Sequence, residues 1–339
     1  MKLKLTAALF AALMMVFCLA GCGGSGSDEE SQDSASTTDI TFVLDWTPNT
    51  NHTGVYVADK LGYFEEAGLN VEIVQPPDDG AEAMVASGQA QLGVSFQDYL
   101  VPAFAGEQKT MPITAVAAIL QHNLSGIMSP KELGIVSPAK LEGHTYATWE
   151  LPIEQAILKE CVEEDGGDFS KVELIPETID DEVSALKAGQ VDSIWVYYGW
   201  AGINAKIKDY PINYFAFKDI DDAFDYYSPV IIANDDFLAD DPDTAKAFLA
   251  AVAKGYEYAA ENPKESADIL LEANPEIDKD LAYASQEYLA GEYIADADQW
   301  GVIDAERWNE FYEFINEKGL AEQEIPMDTG FTVEYLPGK

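Results

Sequence analysis

Apolar positions along the chain fall into runs of strand length, most followed by a polar loop and then by a helical period. Ile40-Thr41-Phe42-Val43-Leu44 is the first, rich in the β-branched and aromatic residues that suit a pleated surface. It opens into Asp45-Trp46-Thr47-Pro48-Asn49-Thr50-Asn51-His52, where Pro48 bars continuation of strand or helix. Val55, Ala58 and Leu61 then share one side of a helix that Gly62 stops. Asn70–Val74 predicts a second strand, 81–87 a short helix closed by Gly88, and Gln91–Ser95 a third strand. The order β-α-β-α-β is the unit of a parallel sheet. Ligands of such sheets bind beyond the carboxyl ends of the strands, where the loop from Asp45 to His52 lies.

The same plan recurs further along. Val172–Ile175 answers Val71–Val74, and Ala188-Gly189-Gln190 answers Ser87-Gly88-Gln89 at the same offset. Tyr146-Ala147-Thr148-Trp149 answers Val43-Leu44-Asp45-Trp46, and each Trp is followed within three residues by a proline and then a helix. Two related lobes follow, each a mostly parallel sheet flanked by helices, with a ligand cleft between them. Between the two units, 113–119 and 126–128 read as strands, and so does the long apolar run 227–233. They place the crossings between lobes near 128–136 and 218–230. Beyond 242 the pattern is helical, with helices over about 264–272, 279–291 and 304–318. Ala245, Phe248, Leu249, Val252 and Tyr256 share one helix face. Packed on the first lobe, these helices give lobe one as 40–130 plus 230–325 and lobe two as 131–229.

The ends change the picture. Lys2, Lys4 and the apolar run 5–20 read as a targeting segment over 1–22. Leu19-Ala20-Gly21-Cys22 has the small residues and terminal cysteine of a lipoprotein cleavage site, so Cys22 is the expected lipid carrier and the membrane an expected partner. The 23–39 segment holds no large apolar residue; as a flexible coil it would span roughly 20–25 Å, suiting a tether. With Cys18 removed and Cys22 modified, only Cys161 stays as a thiol, so neither a disulfide framework nor a cysteine metal cluster is expected. Acidic residues number 61 against 19 basic, a net charge of −42. That argues against nucleic acid as a partner and against long-range attraction of anions. Arg307 is the only arginine, which weakens the case for a sulfonate, phosphate or carboxylate site.

The predicted strand ends carry aromatic residues beside acids. Asp45-Trp46 closes the first strand, Trp149 through Glu154 follows its counterpart, Trp195-Val196-Tyr197-Tyr198-Gly199-Trp200 closes the last strand of lobe two, and Tyr226-Tyr227 lies at the return crossing. A cleft so lined stacks on a flat ring, and an acid at the ring edge accepts hydrogen bonds from amino groups. Trp46 with Trp149, Trp195 or Tyr198 is the expected sandwich. Asp45 or Glu154 is the amino acceptor, with Asn51, Tyr197 and Tyr227 also in the site. His52 reads as a cleft-lining or capping residue, because the three histidines sit on separate elements without metal or nucleophile spacing. No cofactor, metal or catalytic residue is expected.

Asp45–Gly54, Gly62-Tyr63-Phe64, Gln121-His122-Asn123 and Tyr226–Asn234 resemble the substrate-binding lipoproteins of ABC importers for the pyrimidine precursor of thiamine. The resemblance covers nearly all of 40–320 and reaches the fungal thiamine-pyrimidine synthases and the sulfonate- and nitrate-binding proteins. It implies a type II periplasmic-binding-protein fold and a formylaminopyrimidine or hydroxymethylpyrimidine ligand. It also implies a lipid-anchored monomer on the extracytoplasmic face of the membrane, with a permease and its ATPase as partners. The alternatives are another cargo, such as a flavin, nitrate or a sulfonate, or a synthase. The synthases carry a cofactor lysine and a sacrificial histidine where this chain has Ser95 and Tyr99, and their cysteine cluster is missing.

Overall fold

A computed structural model describes residues 37–106 and 109–338. The 1–22 segment with Cys22, and the 23–39 tether up to its last three residues, lie outside the described residues. Thr38 and Asp39, assigned above to the tether, already belong to the first strand.

Ten strands occur among the described residues: β1 (Thr38–Val43), β2 (Leu69–Val74), β3 (Leu92–Ser95), β4 (Ile113–Ala118), β5 (Ser125–Pro130), β6 (Thr145–Thr148), β7 (Glu173–Pro176), β8 (Ser193–Tyr197), β9 (Ile212–Ala216) and β10 (Val230–Asn234). They form two five-stranded sheets, ordered β2-β1-β3-β10-β4 and β7-β6-β8-β5-β9. The repeat read from sequence is therefore a repeat of topology. Phe42 pairs with Ile73 in the parallel β1–β2 ladder, and Ala147 with Ile175 in the parallel β6–β7 ladder. In each sheet one antiparallel strand from the crossing region sits between the parallel unit and the edge strand: β10 in the first, β5 in the second. Every residue of β4, β5 and β10 is buried, which suits strands covered on both faces.

The lobe boundary drawn from sequence moves. Ser125–Pro130, assigned above to the first lobe, pairs with β8 and β9 in the second sheet, so the outward crossing lies at 119–124 rather than near 128–136. Strand hydrophobicity cannot report which of two sheets accepts a strand; the ladder partner decides.

The Pro242–Glu261 helix packs on the first lobe as expected, with Phe248 stacked on Phe42 and Phe64 at 5.5 and 5.3 Å between ring centroids. It crosses the Thr53–Lys60 helix through a glycine contact: a Cβ on Gly255 would lie 2.0 Å from the Gly54 carbonyl oxygen. The later helices reach both lobes. From the Lys279–Leu289 helix, Tyr288 packs on Tyr198 at 5.4 Å and the Ser285 hydroxyl donates to the Gly199 carbonyl. From the Ala305–Lys318 helix, Phe311 and Phe314 meet Tyr226 and Phe224, and Lys318 pairs with Glu160. Cys161 is buried, and burial pushes its thiol well above the usual range, so it is inert.

Candidate functional site

The loop after β1 is held from below. Thr50 Oγ1 lies 2.5 Å from Ser285 Oγ, the Tyr293 hydroxyl donates to the Thr50 carbonyl at 2.7 Å, and the Tyr256 hydroxyl donates to the Asn51 carbonyl at 2.6 Å. Asn49 caps the following turn by accepting from the Asn51 amide. These anchors leave Asp45, Trp46, Asn49 and Asn51 lining a cavity of about 290 Å³, at the small end of ligand pockets (roughly 300–1,000 Å³). Trp46 is 44% exposed and turns this exposure to the cavity it lines.

Opposite stand residues of the second sheet. Trp149 follows β6, and the next residue, Glu150, adopts φ of 62°, a region non-glycine residues rarely occupy. Its amide donates to Thr148 Oγ1 at 2.9 Å, which fixes the turn that presents Trp149. Trp195 and Tyr197 come from β8, and Trp200 from the π-helical turn that follows it. Trp149 and Trp195 lie 5.9 Å apart at 50°, and Trp195 is backed by Phe217 at 4.1 Å. Phe96 and Tyr99, just past β3, complete the wall; Phe96 stacks on Tyr197 at 5.6 Å and so joins the two sheets' contributions.

Three carboxylates face this aromatic box, Asp45, Asp180 and Glu182, and among the described residues no Lys or Arg lines it. Glu182 sits in the first turn of the Glu182–Ala188 helix, whose cap is Asp181 accepting from the Ser184 amide. Burial pushes the Glu182 carboxyl up to about 7; Asp181 and Asp180 add to the rise, while its own backbone amide opposes it. Just behind, Glu82 accepts from the buried Ser95 hydroxyl, and burial raises its carboxyl, with Asp45 adding. Asp98 is pushed up to about 7, chiefly by burial and further by Glu82. Asp98 as a residue is only partly covered, yet its Oδ1 is sealed from solvent with no hydrogen-bond partner.

The structure brings six of the residues expected from sequence to one cavity: Asp45, Trp46, Asn51, Trp149, Trp195 and Tyr197. The other four lie outside its lining. Glu154 is 4% exposed and turns inward, accepting from the Tyr146 hydroxyl at 2.6 Å, Thr148 Oγ1 at 3.0 Å and the amides of Trp149 and Leu151. It caps its own helix and shapes the Trp149 turn, so its oxygens have no lone pair to spare for a ligand. His52 is fully buried; Nδ1 accepts the Asn49 amide at 3.2 Å, so Nε2 carries the proton and donates to Asp45 at 2.6 Å. It orients Asp45 from behind. Tyr198 packs on Tyr214 and Tyr288. Tyr227 is buried, and its hydroxyl accepts the Asp304 amide at 2.8 Å.

Phe96, Asp180, Glu182 and Trp200 were not singled out in sequence as ligand-binding residues. A signal existed for Glu182: like Glu82, it is an acid in the first turn of the helix that follows the second strand of its repeat. Ser95, at the position where the synthases carry lysine, is fully buried, and Tyr99 lines the cavity.

Comparison with known proteins agrees with this architecture. The family model "NMT1/THI5 like" matches residues 49–266. The formylaminopyrimidine-binding protein of Halalkalibacterium halodurans is 31% identical over 94% of this chain and 96% of its own. The 4-amino-5-hydroxymethyl-2-methylpyrimidine phosphate synthase THI13 of Saccharomyces cerevisiae is 24% identical over 73% of this chain and 75% of its own. Among solved structures, the periplasmic aliphatic sulphonate binding protein SsuA of Escherichia coli superposes with a TM-score of 0.67 at 13% identity, covering 87% of this chain and 92% of that one. A ligand-binding component of an ABC-type import system from Staphylococcus aureus gives a TM-score of 0.64 at 17% identity, covering 87% and 96%. The fold is that of the periplasmic binding proteins, and the chain belongs to the NMT1/THI5-like family.

Proposed function

We propose that this chain is the substrate-binding component of an ABC importer and that it captures an aminopyrimidine, formylaminopyrimidine or hydroxymethylpyrimidine, for thiamine synthesis. One observation carries the reading: a small cavity walled by indole, phenol and phenyl rings from both sheets, edged by three carboxylates and, among the described residues, lined by no basic side chain. Flat faces stack on a heterocycle, and carboxylates accept its amino hydrogens. An oxyanion such as a sulfonate or nitrate would meet the carboxylates of Asp45 and Asp180 and, among the described residues, no cationic side chain to offset them. Glu182 and Asp180 take the acceptor role that sequence gave to Glu154, beside Asp45. The similarity to a formylaminopyrimidine-binding protein over nearly the whole chain supports the same cargo.

The synthase alternative needs an amine at Ser95 to hold an aldehyde cofactor, and a hydroxyl bonded to Glu82 supplies none. The protein acts as a receptor that hands its ligand to a permease and ATPase, held at the extracytoplasmic face by lipid on Cys22. Calorimetry with the purified protein tests the reading. Saturable binding of either pyrimidine, with no heat from taurine or nitrate, is the expected result; binding of the anions alone would overturn it.

A further inference from the structure

The two crossings between the sheets, 119–124 outward and 225–229 on return, run beneath the segment 292–307. The Gln121 amide donates to the Glu292 carbonyl at 3.3 Å, and Gln121 Nε2 donates to the Val302 carbonyl at 3.1 Å. Tyr227 on the return crossing accepts the Asp304 amide. The single arginine of the chain is spent here: Arg307 donates to the Gln121 carbonyl, lies 3.8 Å from Asp225 and covers the Tyr227 ring at 5.4 Å.

His122 stands at the centre of this junction. Its Nδ1 is 2.6 Å from Asp225 Oδ2 on the return crossing, and its Nε2 is 3.1 Å from Asp296 Oδ1 on the overlying segment. Asp225 in turn accepts the Asn123 amide at 2.9 Å, tying one crossing to the other. A neutral imidazole has one N–H and cannot donate to carboxylates at both nitrogens; the imidazolium can. We propose that His122 is a proton-controlled latch on the hinge: charged, it ties both crossings to the 292–307 segment through both ring nitrogens, and on losing its proton it keeps only one of the two ties and loosens the junction.

The charged groups facing the ring are Asp225, Asp296, Arg307 and Lys218, with Asp304 beyond Arg307 at the Tyr227 hydroxyl. The Asp225 hydrogen bond raises the His122 pKa above 6.5, burial opposes it, and Arg307 and Lys218 oppose it further. A raised histidine contributes its full stabilisation below the unfolded value and loses it as pH climbs through the folded one. The latch is therefore closed below 6.5 and released as pH climbs through the raised pKa.

Hydrogen exchange of the purified, unliganded protein at pH 6 and pH 9, corrected for intrinsic rates, tests the latch on peptides spanning 119–125 and 224–230. Protection there should fall about tenfold for each pH unit by which His122 is raised above 6.5. In His122→Gln protection should be low at both pH values. Asp296→Asn, at a carboxylate 71% exposed and so safe for folding, should shrink the step. An equal step in His122→Gln, none in the wild type, or an unchanged step in Asp296→Asn would overturn the proposal. A second arm rests on the pyrimidine reading: in a Glu182→Gln background, which removes the cavity's own titration near pH 7, ligand dissociation followed by tryptophan fluorescence should quicken from pH 6 to 9 with His122 present and not after His122→Gln. Failure of the pyrimidine to bind at either pH would overturn that reading, while exchange alone decides the latch.

Discussion

At the residue scale, the cavity sets aromatic faces beside carboxylates, one of which holds its charge at a cost. Glu182 shows the cost. Its carboxyl, pushed up to about 7 by burial, makes the charged form unfavourable in the unliganded protein. A folded-state pKa raised above the ordinary 4.5 means stability present at low pH and lost as pH rises from 4.5 through about 7. Glu182→Gln should thus raise the free energy of unfolding at pH 8 by about 1–3 kcal/mol and do nothing at pH 4; denaturant titrations at both pH values check it. The same substitution should remove the part of the pH dependence of pyrimidine binding near pH 7 that Glu182 contributes, because the amide still offers an acceptor and donors but no longer titrates. Calorimetry from pH 6 to 8.5 reads this directly. Replacing Trp46 or Trp149 by alanine should weaken binding by about 1–2 kcal/mol each, through lost stacking and contact area.

At the element scale, the Trp149 turn and the glycine crossing matter most. Glu154 satisfies two hydroxyls and two amides from inside the second lobe. Glu154→Gln would turn an NH₂ group toward groups that all donate, so a loss of about 1–3 kcal/mol in stability is expected, measured by urea unfolding. Its effect on affinity should come only through displacement of Trp149. Gly255→Ala places a methyl group against the Gly54 backbone, with no flexible side chain able to yield. Overpacking of this kind costs about 1–3 kcal/mol, and the Thr53–Lys60 helix it disturbs directly follows the Asp45–His52 loop.

At the scale of the whole molecule, two sheets of the same topology face a shared cavity and are joined by two crossings, the arrangement that permits hinge closure. The net charge of −42 acts on the entire body. Like charges repel most when unscreened, and the Debye length falls from about 30 Å at 0.01 M salt to 3 Å at 1 M. The melting temperature should therefore rise as sodium chloride is added over that range; a flat or falling curve would show that local ion pairs, not self-repulsion, dominate.

The sequence by itself determined most of the elements, though not β9, together with their repeat and the chemistry of the strand ends. Apolar runs such as Ile40–Leu44, and the Trp that follows Asp45 and Thr148, are local patterns that follow from residue type and spacing. Only the tertiary structure decided which side chains share a surface. Glu154 and Glu182 each lie in the first turn of a helix in the second lobe, yet one is consumed by four donors and the other lines the cavity. Ser125–Pro130 reads as a strand wherever it goes, but its ladder partners put it in the second sheet. His122, Asp225 and Asp296 come from three distant stretches, and nothing local foretells their meeting. Hydrogen bonds at a site join residues far apart in the chain, and sequence periodicity carries information only about neighbours.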